Sequence, residues 1–258
     1  MSALLRIATI AGNTVREAVR SRLLYTLLGF AIVMILAGVL LSTLSYVESE
    51  RILQDVGFAA MRLFGVAIAL FVGVGLIHKE VERRTVYTIL SKPLSRAEFL
   101  LGKFAGLALT VWMQLAIMAV AFVAVSLAAG APLEGAHAAA LLLLGVELAV
   151  VVAIATFFSG FTSPMLASLF AGGLWVVGNL TRDLREIGAA SPLASIREGT
   201  RWAYRLLPDL ASFNLSIEAV HGLPVTASDV WLPLAYGLAY TAVVLVAAVA
   251  IFERRDFR

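Results

Sequence analysis

His78–Lys103 reads HKEVERRTVYTILSKPLSRAEFLLGK and lies between two apolar runs, Gly57–Ile77 and Phe104–Gly130. Six basic residues (Lys79, Arg83, Arg84, Lys92, Arg96, Lys103) and three acids (Glu80, Glu82, Glu98) fall inside it. Each flanking run has about the ~20 residues that a helix needs to cross the ~30 Å hydrocarbon core of a bilayer. A charged island between two such runs is a segment held at a membrane face, and this one is long enough to fold. Pro93 disfavours helical geometry at Lys92, so it ends a short helix with Val81, Val86, Ile89 and Leu90 on one side. Glu80, Arg83, Arg84 and Lys92 stand around the other side. Ser95 and Glu98 form a capping box, which predicts that the next spanning helix starts there. The segment is either a solvated turn or a surface on which a soluble partner docks and pushes.

Working outward, four more apolar runs appear: Leu23–Tyr46, Ala138–Phe158, Pro164–Leu180 and Val230–Phe252. The chain is 61% hydrophobic and 14% charged, with mean hydropathy +0.94. Soluble domains run nearer 45–50% apolar and about 25% charged, so the composition is that of an integral membrane protein. In lipid every backbone polar group must be satisfied internally, and no ten-residue alternating pattern suggests a barrel. The expectation is an all-α membrane protein, a single domain over residues 1–258 with six spans. Cysteine is absent, which excludes disulfides, thiolate metal sites and thiol nucleophiles. The first 22 residues carry Arg6, Arg16, Glu17, Arg20 and Arg22, so no cleavable signal is expected.

The Lys/Arg distribution sets the expected orientation. With both termini and residues 78–103 in the cytoplasm, the inner segments hold 13 of the 20 basic side chains against six acids. The outer side, Arg51 and Arg62 included, holds the other seven against ten acids, leaving Glu147 inside the membrane. The basic residues thus sort by membrane side rather than gathering into a patch with interleaved aromatics, so no nucleic-acid partner is expected. The lipid bilayer is the first partner, and the cytoplasmic membrane the expected location.

Residues 3–20 have helical amphipathic spacing, with Leu4, Ala8, Ala11, Val15 and Ala18 on one face. Arg6, Asn13, Arg16, Glu17 and Arg20 lie on the other. Such a helix lies in the membrane interface, either as a plain anchor for the first span or also against a partner protein. Ser163 and Pro164 supply an N-cap and N1 proline for the fifth span, and Asp229 can cap the sixth. Residues 181–229 form the largest segment between spans. Ser195 with Glu198 predicts a capped helix running to Leu207, stopped by Pro208. Asp209 begins a second, with Leu210, Phe213, Ile217 and Val220 on one face and Gly222 at its end. These helices either lid an exit, seat an outer partner, or simply pack on the bundle.

Glu147 is the ionisable residue nearest the middle of a span, where a carboxylate costs about 2.5–3.5 kcal/mol on insertion scales. Gln114 on the third span lies near the same depth, so a Glu147–Gln114 hydrogen bond with a neutral Glu147 is expected, or else a role on a transport path. Gly102 and Gly106 are spaced as G-x-x-x-G, which allows close helix approach. His78, His137 and His221 are isolated and read as interfacial side chains rather than ligands. No G-x-x-x-x-G-K-[ST], H-E-x-x-H or G-x-S-x-G motif occurs, so neither a nucleotide site nor catalytic machinery is expected in this chain.

The 78–103 segment resembles the loop of ABC-2 type permeases. The match rests on Glu80, Glu82, Thr85, the Leu90, Ser91 and Pro93 pattern, the Ser95/Arg96 pair, Glu98, and Gly102 with Lys103. The basic N-terminal helix, the tail Phe252–Phe257 and the stretch Leu207–Asn214 are also similar to that family. Within it the chain most resembles small bacterial permeases with a separate ATPase subunit, nitrous-oxide-reductase maturation exporters among them. The resemblance implies a membrane domain that dimerises, with a homodimer expected, and binds two ATPase subunits that carry the ATP and Mg. It further implies that Glu80, Glu82, Arg83, Arg84, Thr85 and Pro93 belong to a coupling helix, and Arg6, Arg16, Glu17 and Arg20 to a connecting (elbow) helix. A stand-alone channel or secondary transporter, or a scaffold that transmits force without moving a molecule, are the alternatives. An outer partner at 181–229 is compatible with any of these.

Overall fold

The computed structural model describes residues 2–43, 48–82, 95–191 and 193–254. Among them every element is helical. The long helices are α1 (Ala3–Val19), α2 (Arg22–Ser42), α3 (Ser49–Glu82), α4 (Arg96–Ala128), α5 (Gly135–Ser159) and α6 (Pro164–Asn179). Short helices α7 (Thr181–Ala190), α8 (Ala194–Leu206), a 3-10 turn (Leu210–Phe213) and α9 (Ser216–His221) follow, and α10 (Ala227–Arg254) closes the chain. Five of these, α2 to α5 and α10, are long and apolar enough to cross a membrane. The pair α6 and α7, bent by 51° at Leu180, makes the sixth if it is taken as one span.

A helix that is apolar all round belongs in the middle of a bundle, and α5 is that helix. Leu143, Leu148 and the run from Val150 to Ala155 are buried against α3, α4, α6 and α10. The peripheral α2 and α10 instead expose one side, with Phe30 and Leu40 on the first and Leu238 and Val246 on the second. Lipid is as apolar as these side chains, so the exposure suits a membrane-embedded surface.

The helices overrun the apolar runs. At 1.5 Å per residue, α3 and α4 are each about 50 Å long, well beyond the ~30 Å of hydrocarbon. The second span therefore begins eight residues before Gly57, and His78 to Glu82 continue it instead of opening a loop. The third begins where its capping box places it: the Glu98 N–H donates to Ser95 Oγ at 3.1 Å and the Ser95 N–H to Glu98 Oε2 at 3.1 Å. Replacing Ser95 with alanine removes one half of that box and is expected to cost about 1 kcal/mol, read as a lowered melting temperature in detergent.

Three expectations at helix ends need correction. Asp229 lies in the first turn of α10, where its Oδ2 accepts from the N–H of Thr226, the residue before the helix, at 2.9 Å. Ser195 is inside α8, Leu193 holds the N-cap position, and Glu198 pairs with Arg201 at 3.1 Å. Asp209 does cap, accepting from the Ser212 N–H at 3.2 Å, but it caps only the 3-10 turn. The chain then breaks at Asn214, whose Oδ1 accepts from the N–H and hydroxyl of Ser216. That break resets the register, so Leu210, Phe213 and Val220 are buried whereas Ile217 is exposed. Gly222 ends α9 in the left-handed region at φ 63°.

Candidate functional site

Two polar constellations stand out, one at the root of α4 and one inside the bundle. At the first, α1 lies along α4, and glycine is what lets it approach. A Cβ on Gly102 would fall 2.7 Å from Ile10 Cβ, and one on Gly106 would fall 2.6 Å from the Ala11 carbonyl oxygen. The Gly102–Gly106 pair is therefore the seat of α1. The face of α1 that meets α4 takes Ala11 from the apolar stripe and Arg6 and Glu17 from the polar side. Ile10, Ala11 and Thr14 face the glycines, and Thr14 and Ala18 are fully buried, while Leu4 and Ala8 are exposed.

Charge pairing locks the same junction. Arg6 Nε donates to Glu98 Oε2 at 3.0 Å, so the side chain that caps α4 also holds α1. The hydrogen bond to Glu98 raises the Arg6 pKa above its ordinary value despite some loss of hydration. One turn along, buried Lys103 stands 4.0 Å from Glu17. Arg16 and Arg20 line a cleft of about 710 Å³ between α1 and α3, walled by Phe71, Val72 and Gly75. From the other side α10 braces the root: Arg96 Nη1 donates to the Phe252 carbonyl at 3.2 Å, and Phe252 stacks on Phe99 with centroids 6.3 Å apart. Arg96 and Phe252 were not singled out as a pair from sequence; the nearest signal was the charged end of the last apolar run.

Of the residues assigned to a coupling helix, Glu80 and Glu82 stand on the last turn of α3. Arg83, Arg84, Thr85 and Pro93 lie outside the described residues. The hub formed by α1, α4 and α10 thus sits at the far end of the segment that the charged island occupies.

The second constellation overturns the Glu147–Gln114 expectation. Glu147, 1% exposed, accepts from Arg62: Nε to Oε2 at 3.0 Å and Nη2 to Oε1 at 3.0 Å. Trp175 Nε1 donates to the same carboxylate at 2.8 Å, and Arg62 Nη2 also reaches Asn179 Oδ1. A guanidinium offers a planar fork of donors that matches a carboxylate, and a neutral amide does not compete with it. Gln114 is buried on α4 with its Oε1 unpartnered. The cluster joins α3, α5 and α6 above Gly65, which lets α3 close on Leu148 of α5, and borders a cavity of about 400 Å³. Arg62, which the charge distribution assigns to the outer side, stands within the apolar run Gly57–Ile77, the signal in the sequence that it needs a partner.

The family model described as ABC-2 family transporter protein matches residues 8–257. A comparison with curated proteins finds no match. The chain, a multi-pass helical membrane protein, therefore belongs to the ABC-2 family and is a permease component of an ABC transporter.

Proposed function

We propose that this chain is the permease half of an exporter that pairs with a second copy of itself and is driven by ATP hydrolysis on a separate ATPase subunit. The observation that carries the reading is the family match across residues 8–257. The hub at the root of α4 supplies a route for force. In this mechanism the ATPases bind ATP and Mg, close, and displace the cytoplasmic segment around Glu80–Ser91. The last turn of α3 and the root of α4 move with it. Because α1 is clamped to α4 through Arg6–Glu98 and the glycine seat, it follows as one body, and contact with Phe252 carries the movement to α10. The spans then tilt so that a path between the two copies opens outward, and hydrolysis resets them. In this reading both termini are cytoplasmic and no nucleotide binds to the chain itself.

Purification from native membranes tests the reading: an ATPase subunit is expected to co-purify at one copy per permease, and its absence would overturn it. Charge reversal at Glu82, Arg83 and Arg84 is expected to leave the permease folded while ATPase stimulation by cargo drops to the basal level. Coupling that survives all three reversals would remove this segment from the force path.

A further inference from the structure

The hairpin α7–α8, at the end of the bundle away from α1, carries a basic cleft that the transport reading does not use. On α8, Arg197, Thr200, Arg201 and Tyr204 recur at helical spacing and form one stripe. Arg185 and Ala189 of α7 complete a cleft of about 430 Å³. The two helices meet closely where Gly188 faces Thr200: a Cβ there would fall within 3 Å of three Thr200 side-chain atoms. Arg185 is stacked over the Tyr204 ring, its guanidinium carbon 4.9 Å from the centroid, so the fork is held in one orientation. Among the described residues, Arg201 pairs with Glu198 and Arg182 with Asp209, whereas neither Arg185 nor Arg197 has an ion-pair partner.

Exposed apolar residues stand elsewhere on the same hairpin: Ile187 on α7, Ile196 and Trp202 on α8, and Leu193 between them. Helix α6 has 16 residues, about 24 Å, and so ends short of the ~30 Å of hydrocarbon. Beyond it the chain bends by 51° into α7. A hairpin that presents arginines together with exposed apolar residues, a tryptophan among them, suits a membrane interface.

We propose that the Arg185–Arg197–Arg201 cleft holds the phosphate of an anionic phospholipid headgroup, anchoring the hairpin to the leaflet at this end of the bundle. Two guanidiniums on facing helices, with no carboxylate partner among the described residues, match the bidentate geometry of a phosphate. This site is independent of the ATPase-driven reading and would stand if that reading fell.

The test uses the full-length chain, which has no native cysteine, with Ala189→Cys at the cleft wall carrying an environment-sensitive fluorophore. Reconstitution in nanodiscs of graded dioleoylphosphatidylglycerol in dioleoylphosphatidylcholine is expected to give a saturable shift that pure phosphatidylcholine does not. The double variant R185Q/R197Q is expected to need about 30-fold more phosphatidylglycerol, from roughly a fivefold contribution per arginine. The pair R185K/R197K is expected to keep the preference for phosphatidylglycerol, which separates loss of charge from misfolding. An unchanged titration in R185Q/R197Q would overturn the proposal. So would a full shift from inorganic phosphate in phosphatidylcholine nanodiscs, which would make the ligand a free anion. A shift that depends on protein density instead of lipid charge would assign the cleft to a second copy of the chain.

Discussion

Replacing Glu147 with alanine is expected to lower the stability of the bundle by about 3–5 kcal/mol, the largest loss from any single truncation among its polar groups. The carboxylate is 1% exposed and takes two donors from Arg62 and one from Trp175. Without it the guanidinium is left at membrane depth with Asn179 as its remaining partner, and the indole N–H loses its acceptor. Most of the loss is that orphaned charge and not the value of the pair itself. The double variant Arg62→Met with Glu147→Leu is therefore expected to recover to within about 1–2 kcal/mol of the native chain, since buried pairs and apolar groups of like volume are often near equal. Glu147→Gln should fall between, because its amide oxygen keeps the Trp175 bond while the charge is gone. Unfolding in graded denaturing detergent measures all four. A double variant as unstable as Glu147→Ala would mean that shape, not charge, holds α3, α5 and α6 together. Transport separates a further role: if the stable double variant moves cargo normally, the pair is structural; if it is stable and inactive, Arg62 and Glu147 lie on the path or at a gate.

What the sequence made legible was position along the chain. Each apolar run announced a helix because a bilayer demands about 20 such residues, and the Ser95–Glu98 box located the start of α4 because capping is a local interaction. Extents were less legible: charges at Glu50, Arg51, Lys79 and Glu82 interrupt an apolar run without interrupting the helix that carries it. Rotation was hidden as well. Gln114 and Glu147 share a depth, but depth is one coordinate, and which way each side chain turns is set by packing between helices. The packing of α1 was hidden in the same way: the G-x-x-x-G on α4 seats Ile10, Ala11 and Thr14, of which Ala11 alone belongs to the apolar stripe. Ser195 with Glu198 matched a capping pattern in a helix that starts two residues too early to use it. Arg62 could have been found, since an arginine within one apolar run and a glutamate within another are each costly alone and mutually satisfying together.

Gly106→Leu is expected to pull α1 off α4 and disconnect the N-terminal helix from the rest of the hub. A Cβ at Gly106 would stand 2.6 Å from a backbone carbonyl oxygen, that of Ala11, and 2.6 Å from Thr14 Cβ. A carbonyl in the middle of a helix cannot swing aside as a side-chain tip can, so α1 must move as a unit. Overpacking of this kind costs about 1–3 kcal/mol, against a gain of up to about 1 kcal/mol when glycine in a helix interior is replaced. The clash wins, and the even alanine variant should show a smaller shift of the same sign. Gly12 supplies the control: it lies on α1 with nothing within 4 Å of a built Cβ, so Gly12→Leu should gain helix propensity without displacing anything. Trypsin reads the outcome directly, because Arg6, Arg16 and Arg20 all lie on or at the end of α1. Cleavage there should accelerate in Gly106→Leu and not in Gly12→Leu, while the spanning core of both stays resistant. If α1 carries force as proposed, ATPase stimulation should fall in Gly106→Leu alone, in step with the rate at which α1 is cut. Rapid cleavage with full stimulation would leave α1 an anchor and assign the coupling to the segment between α3 and α4 by itself.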